Sequence, residues 1–524
     1  MTDVSTLTAR PTRPTAPRWT GALSGALAAT FGVVMGTAIA ALINAPSPIV
    51  SIGNRFIFFT PQFLKEFAIR QFGTADKPIL IASVSITLLL LAMVAGVIGL
   101  KRRNLALGIT FGLGAVAILA AATDNASTAN AVVTVIPTII TTIVAVGTLL
   151  FLLGILALSP KEGDDLPSGF DRRKFLIAVG GTTIGIALGG LIARVFGGAA
   201  AAESRMNVRI PTPADPASAV PAGVEVDVQG VSSYITPNRD FYRIDTALQI
   251  PDVPVEGYSL RIHGMVDKEL NLSFQDLLEE RLIERRITLT CVSNEVGGPY
   301  VGNATWIGIP VRDLLERAGV QGDADAVQTT SADGMTISTP LGALDDENRD
   351  AIIAIAMNGE PLPLRHGFPV RMVVPGLYGY VSATKWLVDI EVTRFADHKA
   401  YWSTRGYDEE APIKFSSRID VPESFQTFPV DAVRVGGVAW AQNVGIERIE
   451  VQVDGGEWVD AELAAQDSID TWRQWSWQWD DATPGNHQLT VRATNADGET
   501  QTSDRVPIAP NGSTGLHSVQ FRVE

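Results

Sequence analysis

Five apolar stretches crowd the first two hundred residues, and they constrain the chain more than any other feature. They cover roughly residues 20–45, 79–100, 105–122, 131–158 and 175–193, each nearly free of charge. A helix needs about 20 apolar residues to cross a hydrocarbon core, and each stretch has roughly that length. Core helices of a soluble protein do not account for charge-free runs of this length recurring in succession. The sequence therefore predicts a bundle of five transmembrane helices over 19–198. A Thr- and Pro-rich tail at 1–18, with Arg10, Arg13 and Arg18, reads as disordered and cytoplasmic.

Short basic loops orient the bundle. Lys101 to Arg103 and Arg172 to Lys174 fall on the side of the N-terminal tail, and positive loops favour the cytoplasm. An odd number of spans then puts everything after about residue 198 outside the cytoplasm. The expected location is the cell membrane, multi-pass, with the C-terminal part extracytoplasmic. Arg55, Lys65, Arg70 and Lys77 in the first outer loop weaken this bias without reversing it. The run Asp171-Arg-Arg-Lys-Phe-Leu176 resembles a twin-arginine export signal placed before the last span. It also reads as an ordinary positive-inside flank.

Charge divides the chain. Residues 1–200 hold 15 Lys+Arg and 8 Asp+Glu, a net of +7, which leaves −22 for the rest of a chain whose total is −15. A basic membrane portion before an acidic soluble portion argues against nucleic acid as a partner. The first histidine is His263, so the spans offer no imidazole to a haem. With no intramembrane acid or base evident either, the spans read as an anchor to the lipid bilayer.

An Ala-, Pro- and Ser-rich linker is expected over 199–223, a mixed α+β domain over 224–412 and an all-β domain over 413–524. In the α+β domain, Ser273 to Asp276 predicts a cap opening a helix over 274–286. Pro310 and Gly319 bracket a helix over 311–318, and 258–264 and 369–374 read as strands. Beyond 413, short alternating strands at 432–440, 446–453, 472–479 and 487–494 are separated by Gly-rich turns. That is a β-sandwich pattern.

Cys291 is the only cysteine in the chain. The β-branched alternation before it predicts a strand, and Asn294, Gly297 and Gly298 after it predict a turn. An intramolecular disulfide is excluded. The thiol is either a small buried hydrophobe or a thiolate serving as nucleophile or soft-metal ligand. Two more islands depart from ordinary surface composition. One runs from Asn238 through Phe241, Tyr242 and Arg243 to Asp245. The other runs from His366 through Arg371, Gly376, Tyr378, Gly379 and Tyr380 to Lys385 and Trp386. Glycines that admit close backbone approach, beside cationic side chains, suit a phosphate. The same residues also serve turns and buried ion pairs.

Together and in this order, the three islands resemble the sulfite-oxidase family of molybdenum-cofactor enzymes, over nearly everything from Tyr234 onward. The resemblance implies a molybdenum–molybdopterin cofactor, with Cys291 as the metal's thiolate ligand. It implies cofactor contacts from Asn238, Phe241, Tyr242, Arg243, Ser293, Asn294, His366, Arg371, Gly379 and Lys385, and catalytic roles for Cys291, Arg243 and Tyr380. It also implies that the last domain is Ig-like and of the dimer-forming type. Two departures stand out. Glu295 replaces an arginine that draws in an anionic substrate, and Asp245 replaces a histidine. The resemblance therefore carries the metal site further than the substrate. The expected activity is two-electron oxygen-atom transfer on a small molecule, sulfite-like or an S- or N-oxide. Electrons would pass to or from an external carrier, a cytochrome or the quinone system.

Overall fold

The computed structural model describes residues 16–43, 45–61, 64, 67, 71–72, 76–124, 131–157, 172–197, 200–430 and 433–524. The N-terminal tail up to residue 15, Lys65, Arg70 and Asp171 lie outside the described residues. The chain divides into two compact units. One comprises Met1–Ala200 with Ala247–Asp252, the other Ala201–Thr246 with Val253–Glu524.

In the first unit, five helices are long and apolar enough to cross a membrane: Arg18–Leu42, Lys77–Gly99, Arg103–Ala122, Val132–Leu156 and a fifth beginning at Arg172. Each falls on one of the five apolar stretches. The first helix packs against those at Asp76–Gly99, Ala131–Ala157 and Arg172–Phe196. Small residues allow this close approach. A Cβ added at Gly25 would overlap the Ala92 carbonyl, and one at Gly96 would overlap that of Gly21. An additional helix, Pro48–Phe59, is capped by Ser47 and leaves Phe56 and Phe59 exposed.

The second unit begins sooner than composition suggests. The expected linker is instead packed against the domain. Helix Ala200–Asn207 buries Ala201 in the main apolar core. Its Arg205 donates to the carbonyls of Pro361 and Leu362 and pairs with Glu360 at 3.0 Å. Further along, Glu284 accepts from the Ala217 N–H and Arg286 donates to the Ser218 carbonyl. Charged side chains anchor a stretch whose own composition is loop-like.

Two sheets frame the α+β portion. One has the order Leu270–Ser273, Ser259–Gly264, Leu387–Thr393, Ala326–Ser331, Thr336–Pro340. The other runs Ile283–Thr290, Val301–Pro310, Ile352–Met357, Glu360–Pro361, with Arg371–Val373 also on Ile352–Met357. Helix Val311–Ala318 ends at Gly319 in the left-handed conformation, as the bracketing residues predict. The helix expected over 274–286 stops at Glu279. Its capping box between Ser273 and Asp276 forms, but Ile283 already belongs to a strand. Alternating pairing with Val301–Pro310 outweighs the helical tendency of the Glu- and Arg-rich run between.

After Ser416 the chain forms two further sheets. They share one apolar core that includes Val435, Ile449, Trp475, Leu489 and Phe521. Trp472 and Trp475 are buried, while Trp477 and Trp479 stack half-buried with ring centroids 6.3 Å apart.

Replacing Gly25 with leucine forces the first helix off the Ala92 carbonyl, an overpacking cost of about 1–3 kcal/mol. Thermal melts in detergent are expected to show a lower Tm for the helical unit. An unchanged Tm would contradict the packing described.

Candidate active site

The cysteine sits at the tip of a hairpin. Strands Ile283–Thr290 and Val301–Pro310 pair in register from Ile283 opposite Gly308 to Thr290 opposite Val301. One further bond, from the Cys291 N–H to the Tyr300 carbonyl at 3.0 Å, extends the ladder before the chain turns. The turn is closed by the Asn294 N–H donating to the Cys291 carbonyl at 2.9 Å and the Tyr300 N–H donating to Asn294 Oδ1 at 2.8 Å. The Ser293 N–H points at Cys291 Sγ, 3.4 Å away. Burial pushes the thiol above its ordinary pKa, while that N–H and the charge of Lys385 pull it back. The net shift is upward, so the thiol stays protonated, and the Ser293 N–H and Lys385 reduce the cost of forming the anion.

The other two islands gather around this tip. Asp245 bridges two cations. It accepts from Arg243 Nε at 2.8 Å and from Lys385 Nζ at 2.9 Å. Lys385 is buried, which pulls its pKa down to about 8, with Asp245 acting against the shift. Arg371 is 3% exposed on its short edge strand. It donates to the His366 carbonyl at 3.0 Å and lies over the Trp306 ring at 4.9 Å. Among the described residues no carboxylate pairs with it, and burial lowers its pKa to about 10. His366, 1% exposed, is held neutral by burial, its pKa drawn down to about 3. Its Nε2–H then donates to the Asn238 carbonyl at 2.8 Å.

The structure divides the expected site residues into two groups. Cys291, Tyr242, Arg371 and Lys385 influence one another electrostatically, with Arg243 joined through Asp245. Burial, then the neighbouring thiol, raises the Tyr242 hydroxyl pKa. The others frame that group. Asn238 spends its side chain on Glu360, Met357 and Asn358. Phe241 packs on Tyr242, Trp306 and His366, and Gly302 leaves room for its ring. Gly379 opens a short helix beneath the strand end, near the Thr290 carbonyl. Tyr380 donates to the Asp408 carbonyl at 2.8 Å. Tyr378 feels the Cys291 charge, and mainly burial lifts its hydroxyl to about 12.

Sequence reasoning missed the role of Trp306, the aromatic face under Arg371, although that residue stands in the cysteine hairpin itself. A separate cavity of about 290 Å³ is lined by Asp215, Arg285, Arg286, Asp350, Asp467 and Asp470, and none of the candidate site residues borders it. Its arginines are already paired, Arg285 with Asp215 and Asp350, Arg286 with Asp467.

Comparison with known proteins bears on the same region. Residues 247–402 match the model of an oxidoreductase molybdopterin binding domain. Mitochondrial sulfite oxidase of Rattus norvegicus is 31% identical over 291 residues, 47% of this chain and 52% of the rat protein. YuiH of Bacillus subtilis, described as an uncharacterized oxidoreductase, is 34% identical over 180 residues, 34% of this chain and 87% of that protein. The chain belongs to the sulfite-oxidase family. It spans about half the length of the mitochondrial sulfite oxidases it matches. A crystal structure of sulfane dehydrogenase SoxCD from Paracoccus pantotrophus is 22% identical over 56% of this chain, with a TM-score of 0.49, too low to bear on the fold.

The residues present fit the molybdopterin group that this family's domain binds. A buried guanidinium without a carboxylate is unfavourable until an anion arrives. Arg371 and Lys385 provide such positive charge, and a phosphate-bearing pterin supplies the matching negative charge. Thr290, beside the cysteine and 2% exposed, also keeps a hydroxyl without a hydrogen-bond partner among the described residues. The single soft donor suits a thiophilic metal.

Two outcomes follow from this electrostatic arrangement. Arg371→Met removes an uncompensated buried charge, so the cofactor-free protein is expected to gain about 1–3 kcal/mol while its pterin content after expression falls. Melting curves and pterin analysis read the two effects; unchanged pterin content would contradict the role given to Arg371. His366 has a depressed pKa, so its contribution is present above about pH 6.5 and is lost as pH falls toward 3. Between pH 6.5 and 5 that loss is about 2 kcal/mol, and His366→Gln is expected to flatten the acid side of the stability profile by that amount.

Proposed function

We propose that this protein is a membrane-anchored molybdenum-cofactor oxidoreductase that performs two-electron oxygen-atom transfer on a small substrate. Its catalytic part lies outside the cytoplasm. The observation that carries this reading is the lone thiol at a hairpin tip, facing buried cations that lack full carboxylate compensation. When bound, the cofactor supplies the redox and oxygen-transfer chemistry. Cys291 would hold the metal. Arg371 and Lys385 would neutralise the pterin phosphate, and neutral His366 would fix the strand end by its bond to Asn238. Arg243 and Tyr380 are the further side chains assigned to the reacting centre, and Asn238, Phe241, Tyr242, Ser293, Asn294 and Gly379 to the cofactor's surroundings.

Carboxylates bear on the substrate. Asp245 already neutralises part of the cationic cluster, and Glu295 stands in the cysteine turn. Both disfavour a multiply charged anion, which supports S- or N-oxides beside sulfite-like substrates. The five apolar helices support a bilayer anchor, and the basic loops at Lys101 to Arg103 and Arg172 to Lys174 support the orientation. The run at 171–176 supports twin-arginine export of the folded domain. The last two sheets support an Ig-like sandwich of the kind that forms homodimers. Electrons would be exchanged with a cytochrome or with the quinone system at the membrane.

Molybdenum-loaded protein screened against sulfite, sulfoxides, nitrate and chlorate is expected to turn over at least one of them and to hold about one molybdenum per chain. Cys291→Ser is expected to abolish turnover with the fold intact. Full activity of that variant would overturn the role given to Cys291, and metal-free and pterin-free protein from a competent host would favour a non-enzymatic surface protein that binds through its last domain.

A further inference from the structure

The turn that carries Cys291 is fastened by the C-terminal pair of sheets and the segments beside them. Ser513, in the segment before the last strand His517–Val523, donates from Oγ to the Asn294 carbonyl at 2.9 Å. Arg418, on strand Ser416–Val421, donates to the Gly298 carbonyl at 3.1 Å, and is itself fixed by Asp420 at 2.6 Å and Ser232 at 2.9 Å. The His517 ring fills the space beside Gly297 that a Cβ would need, and Gly297 has φ +80. His517 Nδ1 accepts from the Ile419 N–H at 3.0 Å, so the ring is held in place.

The strand leading into the cysteine is gripped from the same side. Thr288 Oγ1 accepts from the Trp472 N–H at 2.8 Å, the Thr288 N–H donates to the Asp470 carbonyl at 2.9 Å, and Gln442 donates to the Thr288 carbonyl. These contacts connect directly to the thiol's own hydrogen bonds. Ser513 holds the Asn294 carbonyl, the Asn294 N–H holds the Cys291 carbonyl, and the Ser293 N–H between them reaches Sγ.

We infer that the C-terminal two-sheet portion is a working part of the metal site. Ser513 and Arg418 are positioning residues that hold the turn, and with it the Cys291 sulfur and the Ser293 N–H. This inference rests on Cys291 being the metal's thiolate, yet its core claim concerns the turn and is measurable without metal. A sulfur whose placement depends on the C-terminal sheets couples their packing to the metal's ligand geometry. It also means the last hundred residues serve the site even in a single chain.

The test uses the full chain from molybdenum-starved cells, in which Cys291 is the only thiol that iodoacetamide can alkylate. Ser513→Ala removes one side-chain bond to the turn. It is expected to raise the alkylation rate of Cys291 about tenfold at fixed pH and to speed amide exchange at 293–298. Ser513→Thr restores the hydroxyl and is expected to restore the slow rate. Thr490→Ala loses a comparable bond, to Ser518 at 2.8 Å between strands Gly485–Asn495 and His517–Val523, without touching the turn, and is expected to leave Cys291 unchanged. In molybdenum-loaded protein, Ser513→Ala is expected to shift the sulfur-to-metal charge-transfer absorption. If Ser513→Ala alkylates and exchanges at the wild-type rate, the inference is overturned. If Thr490→Ala accelerates alkylation equally, the effect is general loosening and the inference is overturned as well. An absence of molybdenum from every preparation would instead defeat the proposed function and leave the alkylation result standing.

Discussion

A positively charged side chain buried without a negative partner is costly, and the α+β portion of this protein is arranged around such charges. Arg371 has only carbonyl oxygens and the face of Trp306 for company, and Lys385 shares Asp245 with Arg243. In a dry interior, water cannot screen this excess. The hairpin, the short edge strand at Arg371–Val373 and the loop before Lys385 all converge to hold the cluster in place. A fold maintains such an arrangement where an anionic ligand supplies the missing charge.

The thiol completes the chemistry because of where the hairpin places it. Strand pairing makes the backbone rigid up to Thr290, and the turn then offers a backbone N–H to the sulfur. Burial alone would keep the thiol protonated. A nearby Lys385 charge and a metal both act in the opposite sense, so ligation and deprotonation reinforce each other. Asp245 moderates the cluster by neutralising part of its charge.

Much of this could be read from the residues, for identifiable reasons. The five apolar stretches announce their helices because uncharged runs of that length have no other stable outcome. Helix Val311–Ala318 and strand Ile446–Val453 fall where local signals place them, since glycine caps and strict alternation are short-range. The helix over 274–286 fails beyond Glu279 because a long-range strand partner, invisible to a local window, claims Ile283. The linker over 199–223 fails because Arg205 and Arg286 tether it to groups far along the chain. At the site, the three islands and the resemblance they carry single out Cys291, Arg371 and Lys385 as candidates. Nothing in the spacing of Ser513, Arg418 or His517 signals that they reach the cysteine turn, since each contact spans more than a hundred residues or comes from another sheet system.

One bond decides the proposed metal site, that between the Cys291 sulfur and molybdenum. X-ray absorption at the molybdenum edge counts the sulfur neighbours of the metal directly. Wild-type protein is predicted to show the two pterin sulfurs and one more, with Cys291→Ser losing that one while the pterin sulfurs remain. Identical sulfur counts in the two proteins would contradict the assignment of Cys291 as the metal's ligand.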